Sequence, residues 1–438
     1  MAKTPTSPTN PMPTTTTTDI ETTAHSNDND KEQESAIAIK AQCLCKQHIF
    51  TTTVTNPSEI LPLKAICCHC DSCRHVSGAL CTTGCSWPGP SLGLQTEELA
   101  KLRRYDFSSR LVILSCETCS SPMIWVDGAG SEPGKTETTY GVTTGVLSAA
   151  YADGRVFKGE LVKFMGHVFV GDTLDGGASC WMRRPNGVGS DPAKRWLGGR
   201  GRSEEVPAGK EWPEVEGLLG VGVSYLTDGE EKGDIPIRCH CGGVDLVYRA
   251  GEAQREHRDM SRRGEALSRY VDPETFKAKG SFDGCDSCRI WTGSDVVYWT
   301  FAQLKYIAFP SSEGGPFLAT TAGFKDIVSK ANDEKDPRLG MLTMFASSPG
   351  VQRYSCGRCA ASIFYSVDDR PDMVDIAVGV LHSPDGARAE RAIAWRFGGE
   401  VTYRGDMLTG WRGRLLESVE KEVEEWRAKR GYPEKFRK

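Results

Sequence analysis

The residues best suited to chemistry in this chain are its cysteines, which fall in spaced pairs that recur in a fixed order. Cys43-x-Cys45 is followed by Cys70-x-x-Cys73 and Cys116-x-x-Cys119. Later, Cys239-x-Cys241 is followed by Cys285-x-x-Cys288 and Cys356-x-x-Cys359. Matching pairs lie 196, 215 and 240 residues apart. Pair type and order are kept while the offset grows, which is what loop insertions in a repeated unit produce. The insertions are expected within 246–284, where GEAQREHRDMSRRGEALSRY reads as a polar helix, and within 289–355. Zinc takes four ligands, sulfur at about 2.3 Å, usually from two chain segments. Residues i and i+2 of an extended segment face one side, so a Cys-x-Cys grips one ion and a Cys-x-x-Cys turn completes the shell. Cys43, Cys45, Cys116 and Cys119 are therefore expected to form one closed structural site, and Cys239, Cys241, Cys356 and Cys359 a second.

The middle pairs point to different chemistry. The first lies in Cys67-Cys68-His69-Cys70-Asp71-Ser72-Cys73-Arg74. Here Cys68, Cys70 and Cys73 offer three thiolates from one tight segment. Three protein ligands with one open position are the pattern of a catalytic zinc, which acidifies a bound thiol or water and polarises a carbonyl. In Phe282-Asp283-Gly284-Cys285-Asp286-Ser287-Cys288-Arg289 the first cysteine is replaced by Asp283, giving a harder and weaker Asp283/Cys285/Cys288 set. Arg74 is placed to pair with a substrate carboxylate, and His69 and His75 to carry protons; each also has an ordinary surface or capping reading. Cys67, Cys81, Cys85 and Cys180 stand outside the repeated pattern and are expected as buried or free thiols. Of these, Cys81-x-x-x-Cys85 follows the first triad closely enough to offer it a fourth ligand.

These residues need a scaffold, and the remaining sequence describes one. The 438 residues hold 39% apolar and 25% charged residues, with a net charge of −5, enough apolar material for two cores. Residues 1–35 are polar, Thr- and Pro-rich, and read as a disordered tail without a secretory signal. A Gly-, Pro- and charge-rich stretch at 198–216 reads as a linker between domains at 36–197 and 217–438. Short apolar or β-branched runs at Leu111–Ser115, Leu161–Val170, Asp295–Phe301, Ser362–Val367 and Asp375–Leu381 predict a mainly β fold. The clearest helix is expected at about Arg414–Lys429, its face formed by Leu415, Leu416, Val419, Val423 and Trp426. No run reaches the roughly 18–20 apolar residues needed to span a bilayer. Cysteine content lies below the roughly 8–10% of disulfide scaffolds. A reducing, cytoplasmic setting is the expectation, where spaced cysteines serve as metal ligands. Trp87 and Arg183–Arg184 form no basic stripe, and an acidic chain argues against nucleic acid as partner.

CLC at 43–45, CHCDSCRHVSGAL at 68–80 and CETC at 116–119, with CHCGGV at 239–244, CDSCRIWTG at 285–293 and CGRC at 356–359, resemble the glutathione-dependent formaldehyde-activating enzyme family, which includes centromere protein V. His167 in GHVFVGDTLDGG is similar to a late His-Ile/Val segment of the family. The resemblance implies two tandem Mss4-like zinc-binding β domains. It implies structural zinc on the outer pairs and a functional zinc on Cys68, Cys70 and Cys73. The implied activity is a carbon–sulfur lyase type of reaction, joining formaldehyde and glutathione as S-(hydroxymethyl)glutathione. Lys46, Ser120 and Ala360 stand where the family has glycine, and Asp283 breaks the second triad. A non-catalytic, zinc-stabilised interaction module is the alternative.

Overall fold

The computed structural model describes residues 36–89, 96–128, 138–207, 233–310, 317–330, 334–395 and 400–430. The expected tail lies outside these residues, as does 208–216 of the expected linker. Residues 198–207 of that linker fold back: Leu197 N–H donates to Glu204 O, and Val206 N–H to Arg195 O.

The chain is mostly sheet, with few helices. An eight-stranded sheet runs in the order Lys194–Arg195, Val162–Val168, Leu63–Cys68, Thr82–Ser86, Thr139–Thr143, Pro122–Asp127, Leu111–Ser115, Arg103–Asp106. A seven-stranded sheet runs Leu342–Ser348, Val351–Cys356, Ser362–Val367, Met373–Ala377, Val297–Gln303, Ala278–Asp283, Ile393–Ala394. Aligned at the cysteine pairs, the two follow one path. In each, the strand leading into a middle cluster has a parallel neighbour that arrives late in the chain: Val162–Val168 beside Leu63–Cys68, and Ile393–Ala394 beside Ala278–Asp283. Two three-stranded sheets complete the set, and the first half of the chain supplies Ile49–Val54, Ile37–Gln42 and Leu147–Tyr151 to one of them. The runs expected as strands at Leu111–Ser115 and Ser362–Val367 have those limits. The run Asp375–Leu381 instead leaves its strand at Ala377 for a 3-10 turn, Val378–Val380. The polar helix is Ala250–Arg262, which ends just before Gly264 at φ +71°.

The halves meet through a reciprocal contact. The helices after the two middle clusters, Asp71–Ser77 and Asp286–Thr292, each end in a left-handed glycine, Gly78 and Gly293. Gly379 N–H donates to Gly78 O at 2.8 Å, and Gly145 N–H donates to Gly293 O at 3.0 Å. The same patch is thus used twice, as in an isologous dimer interface. Beside it, buried Asp295 accepts from Thr144 Oγ1 (2.6 Å) and from Arg412 Nε (2.8 Å), and Arg412 Nη2 also donates to Thr144 O (2.7 Å). The ion pair therefore pins the C-terminal helix, Gly410–Lys429, across the seam. That helix buries Leu415, Leu416, Val419, Val423 and Trp426 in the chain's own core. Trp181 of the first half enters the second half's aromatic cluster, with ring centroids 4.8 Å from Phe282, 4.9 Å from Trp395 and 5.4 Å from Trp426. Among the described residues, no helix is long and apolar enough to cross a membrane.

Close approach at the seam requires glycine. A Cβ on Gly145 would collide with the Arg289 carbonyl, and one on Gly379 with the Ala79 carbonyl. Gly145→Ala and Gly379→Ala are each expected to destabilise the protein by about 1–3 kcal/mol, the usual cost of overpacking. Urea denaturation with metal present checks this; wild-type midpoints in both variants would contradict the packing described.

Candidate metal centres

Among the described residues, four clusters bring three or more candidate ligand atoms within 4.8 Å of one another: Cys43/Cys45/Cys116/Cys119, Cys239/Cys241/Cys356/Cys359, Cys68/Cys70/Cys73 and Asp283/Cys285/Cys288. All ligand residues expected from the spacing are brought together in this way. All seventeen cysteines are free thiols.

In the first four-cysteine cluster Cys45 Sγ lies 3.5 Å from both Cys43 Sγ and Cys116 Sγ. In the second, Cys241 Sγ lies 3.6 Å from Cys239 Sγ and 3.5 Å from Cys356 Sγ. A tetrahedron with zinc–sulfur bonds of about 2.3 Å has sulfur–sulfur edges of about 3.8 Å, so the donor sets fit that ion. Backbone N–H groups support the sulfurs, as from His48 to Cys43 (3.3 Å) and from Val244 to Cys239 (3.3 Å). Hydrogen bonds from Cys116 and Cys43 hold the Cys119 thiol far below its ordinary range. Hydrogen bonds to Cys116 and Cys119, with burial, push Cys43 far above it. Protons thus crowd onto some sulfurs because four anions cannot share the space without a cation.

The turns that present these sulfurs explain the departures from glycine. Lys46, Ser120 and Ala360 have φ of 65°, 60° and 64°, and Gly242, the counterpart of Lys46, has 68°. Each follows a ligand pair at a left-handed position, where a Cβ costs about 1–2 kcal/mol. The turns are retained nonetheless, with Ser120 N–H bonded to Cys116 O and Ala360 N–H to Cys356 O, both at 2.9 Å.

The first triad is differently exposed. Each four-cysteine cluster has three buried members, whereas Cys68, Cys70 and Cys73 are all half-buried. Cys68 Sγ is 3.6 Å from Cys70 Sγ, which accepts Cys73 N–H at 3.3 Å where the helix Asp71–Ser77 begins. Hydrogen bonds from Cys68 and Cys73 pull Cys70 down to about 3, with the Arg74 charge assisting. Arg74 is buried and paired with Asp71, while its Nε and Nη1 hydrogens have no partner. Both nitrogens are themselves shielded from solvent, so in this conformation they do not face a ligand.

The histidines named from sequence have other partners. His69 is fully buried, its Nε2 2.9 Å from His167 Nδ1, and His167 Nε2 is 2.8 Å from Met182 O. A carbonyl only accepts, so neutral His167 donates from Nε2 and receives from His69. Burial lowers His167 to about 4, and both rings are neutral at pH 7. His75 is stacked on His382 with centroids 3.8 Å apart, and burial lowers it to about 3. Cys67, Cys81 and Cys85 are buried core thiols outside every ligand cluster, and Cys180 is half-buried.

One pair of residues at the triads escaped the spacing argument. Asp406 Oδ2 accepts Asp286 N–H at 2.9 Å, and Asp172 likewise accepts from the Asp71 backbone. Both begin their work from equivalent turns, opened by Phe169 and Tyr403 at φ 55° and 54°. The repeated text Phe-Val-Gly-Asp and Tyr-Arg-Gly-Asp, 169–172 and 403–406, was the available signal.

Residues 38–160 match the family model described as glutathione-dependent formaldehyde-activating enzyme. The segment contains the first four-cysteine cluster and the first triad, and ends before His167. No curated protein and no solved structure matches the chain.

A buried neutral His167 has a stability signature. Above its unfolded value of about 6.5 its contribution is complete. As pH falls toward about 4 the unfolded chain binds a proton that the folded one refuses, so stability is lost. The difference is about 3 kcal/mol. His167→Gln is expected to lose correspondingly less stability than wild type between pH 7 and pH 4 in urea titrations. Parallel curves would contradict the assignment.

Proposed function

We propose that this chain is a zinc protein of the carbon–sulfur lyase type, joining a small thiol such as glutathione to an aldehyde such as formaldehyde, or releasing it. The observation that carries this reading is one contrast of exposure. Within the segment matched by the family model, a buried four-cysteine cluster accompanies a half-buried three-cysteine cluster. The first suits a structural ion and the second an ion that meets substrate. The second half's four-cysteine cluster is taken as a further structural site, and the two halves as copies of one unit.

Cys68, Cys70 and Cys73 would hold the functional zinc, which when bound supplies a thiolate near neutral pH by lowering the pKa of a coordinated thiol. The residues around it bind and orient. Arg74, buried and paired with Asp71, acts by its charge on Cys70 and by holding the helix that begins at the triad. The His69–His167–Met182 chain holds the segment between Cys68 and Cys70 against the neighbouring strand, with both rings neutral at pH 7. In the reaction the substrate sulfur attacks the carbonyl carbon and a C–S bond forms. The carbonyl π electrons move to oxygen, which takes up the proton the thiol gave up. Free thiols throughout accord with a reducing, cytoplasmic setting. For the second half, where Asp283 replaces a thiolate, the non-catalytic module is the better reading.

Zinc-loaded protein mixed with formaldehyde and glutathione is expected to accelerate adduct exchange measured by NMR. Cys70→Ser should return exchange to the uncatalysed rate while metal at the four-cysteine clusters is kept. An unaccelerated wild type, or an unimpaired Cys70→Ser, sinks the proposal.

A further inference from the structure

The second triad differs from the first at three positions that strand register makes equivalent. Asp283 stands for Cys68 at the end of its strand. Trp299 faces Ser281 as Gly84 faces Ile66, so a tryptophan stands for that glycine. Arg353 pairs with Tyr365 as Ile113 pairs with Trp125, so an arginine stands for an isoleucine. All three changes converge on one place.

Arg353 is only 2% exposed. Its Nη1 lies 3.5 Å from Cys288 Sγ, its Nη2 donates to Ser287 Oγ at 2.9 Å, and its Nε donates to Ser347 Oγ at 3.1 Å. The guanidinium carbon sits 5.0 Å from the Trp291 ring centroid and 5.1 Å from that of Tyr365, so cation–π contacts hold the charge in place. Asp283 is also engaged. Its Oδ1 accepts Cys285 N–H at 2.7 Å and its Oδ2 accepts Trp299 Nε1–H at 3.1 Å. A fixed, buried cation against one sulfur repels a divalent ion, and a carboxylate already bonded at both oxygens is a poor ligand for it. The first triad has no counterpart to this clamp, because the hydrocarbon of Ile113 stands there.

We propose that the second triad carries the Arg353 guanidinium where the first carries a metal. Cys285 and Cys288 then remain free thiols in the metal-loaded protein, and half-buried Cys285 is a modification site for small-molecule disulfides. The proposal takes from the proposed function only that the first triad holds an ion. In the modification, the Cys285 sulfur attacks one sulfur of the disulfide and the disulfide's S–S bond breaks. A mixed disulfide forms on Cys285, and the departing thiolate takes the proton that Cys285 gave up.

The test treats the full-length, zinc-loaded protein with glutathione disulfide and maps adducts by mass spectrometry, with Cys285→Ser confirming the assignment. A glutathione adduct is expected on Cys285, with Cys68, Cys70 and Cys73 protected until a chelator is added. In parallel, Asp283→Cys combined with Arg353→Ile should bind one more zinc per chain than wild type and protect Cys285. Cys285 protected in the wild type and released by chelator overturns the proposal, even if the double variant fails to fold. Adducts on Cys68, Cys70 and Cys73 before chelation would defeat the proposed function, while the Cys285 result would still decide this one.

Discussion

Sulfur atoms 3.5–3.6 Å apart in buried or half-buried surroundings impose the constraint on which the rest depends. Without a cation among them, the thiols must keep protons that a folded cluster leaves little room to share, and their acidities are driven apart in every cluster. Two ways of meeting that constraint coexist. Two clusters gather four sulfurs each, and the first triad gathers three from half-buried residues. The second triad brings its own positive charge, through Arg353. The same backbone framework therefore presents three half-buried cysteines in one half and a more buried cluster against Arg353 in the other.

The framework can do this because the site-bearing segments are anchored twice. Each triad begins the helix whose left-handed terminal glycine docks on the other half, Gly78 on the turn at Gly379 and Gly293 on that at Gly145. The Asp295–Arg412 pair then ties the last helix across the seam. The second half, with Asp283 in place of a cysteine, buttresses the first: the helix carrying Cys73 ends against the second half's backbone.

Which cysteines gather into clusters was legible in the sequence, because Cys-x-Cys and Cys-x-x-Cys spacings translate directly into convergent sulfurs. Several strands were legible for a similar reason, since the runs at Leu111–Ser115 and Ser362–Val367 are apolar and bounded by turn residues. What decides charge and exposure was not. Arg353 lies three residues before Cys356 and contacts Cys288, a pairing made only by the order of strands in the sheet. His69 reads from sequence as a proton carrier or an ordinary surface or capping residue, yet its ring is buried and committed to His167, nearly a hundred residues away. The replacement of glycine at Lys46, Ser120 and Ala360 was visible, but only the positive φ values show that the turns survive it.

The central claim is that the first triad, alone among the clusters, admits a thiol from solution. Replacing zinc with cobalt(II) makes this visible, because sulfur-to-cobalt charge-transfer absorption counts the sulfurs around each ion. Titration of the cobalt-loaded chain with glutathione is predicted to intensify that absorption by one sulfur ligand per chain, saturably, and to do nothing in Cys70→Ser. A spectrum unchanged by glutathione in the wild type would contradict the account.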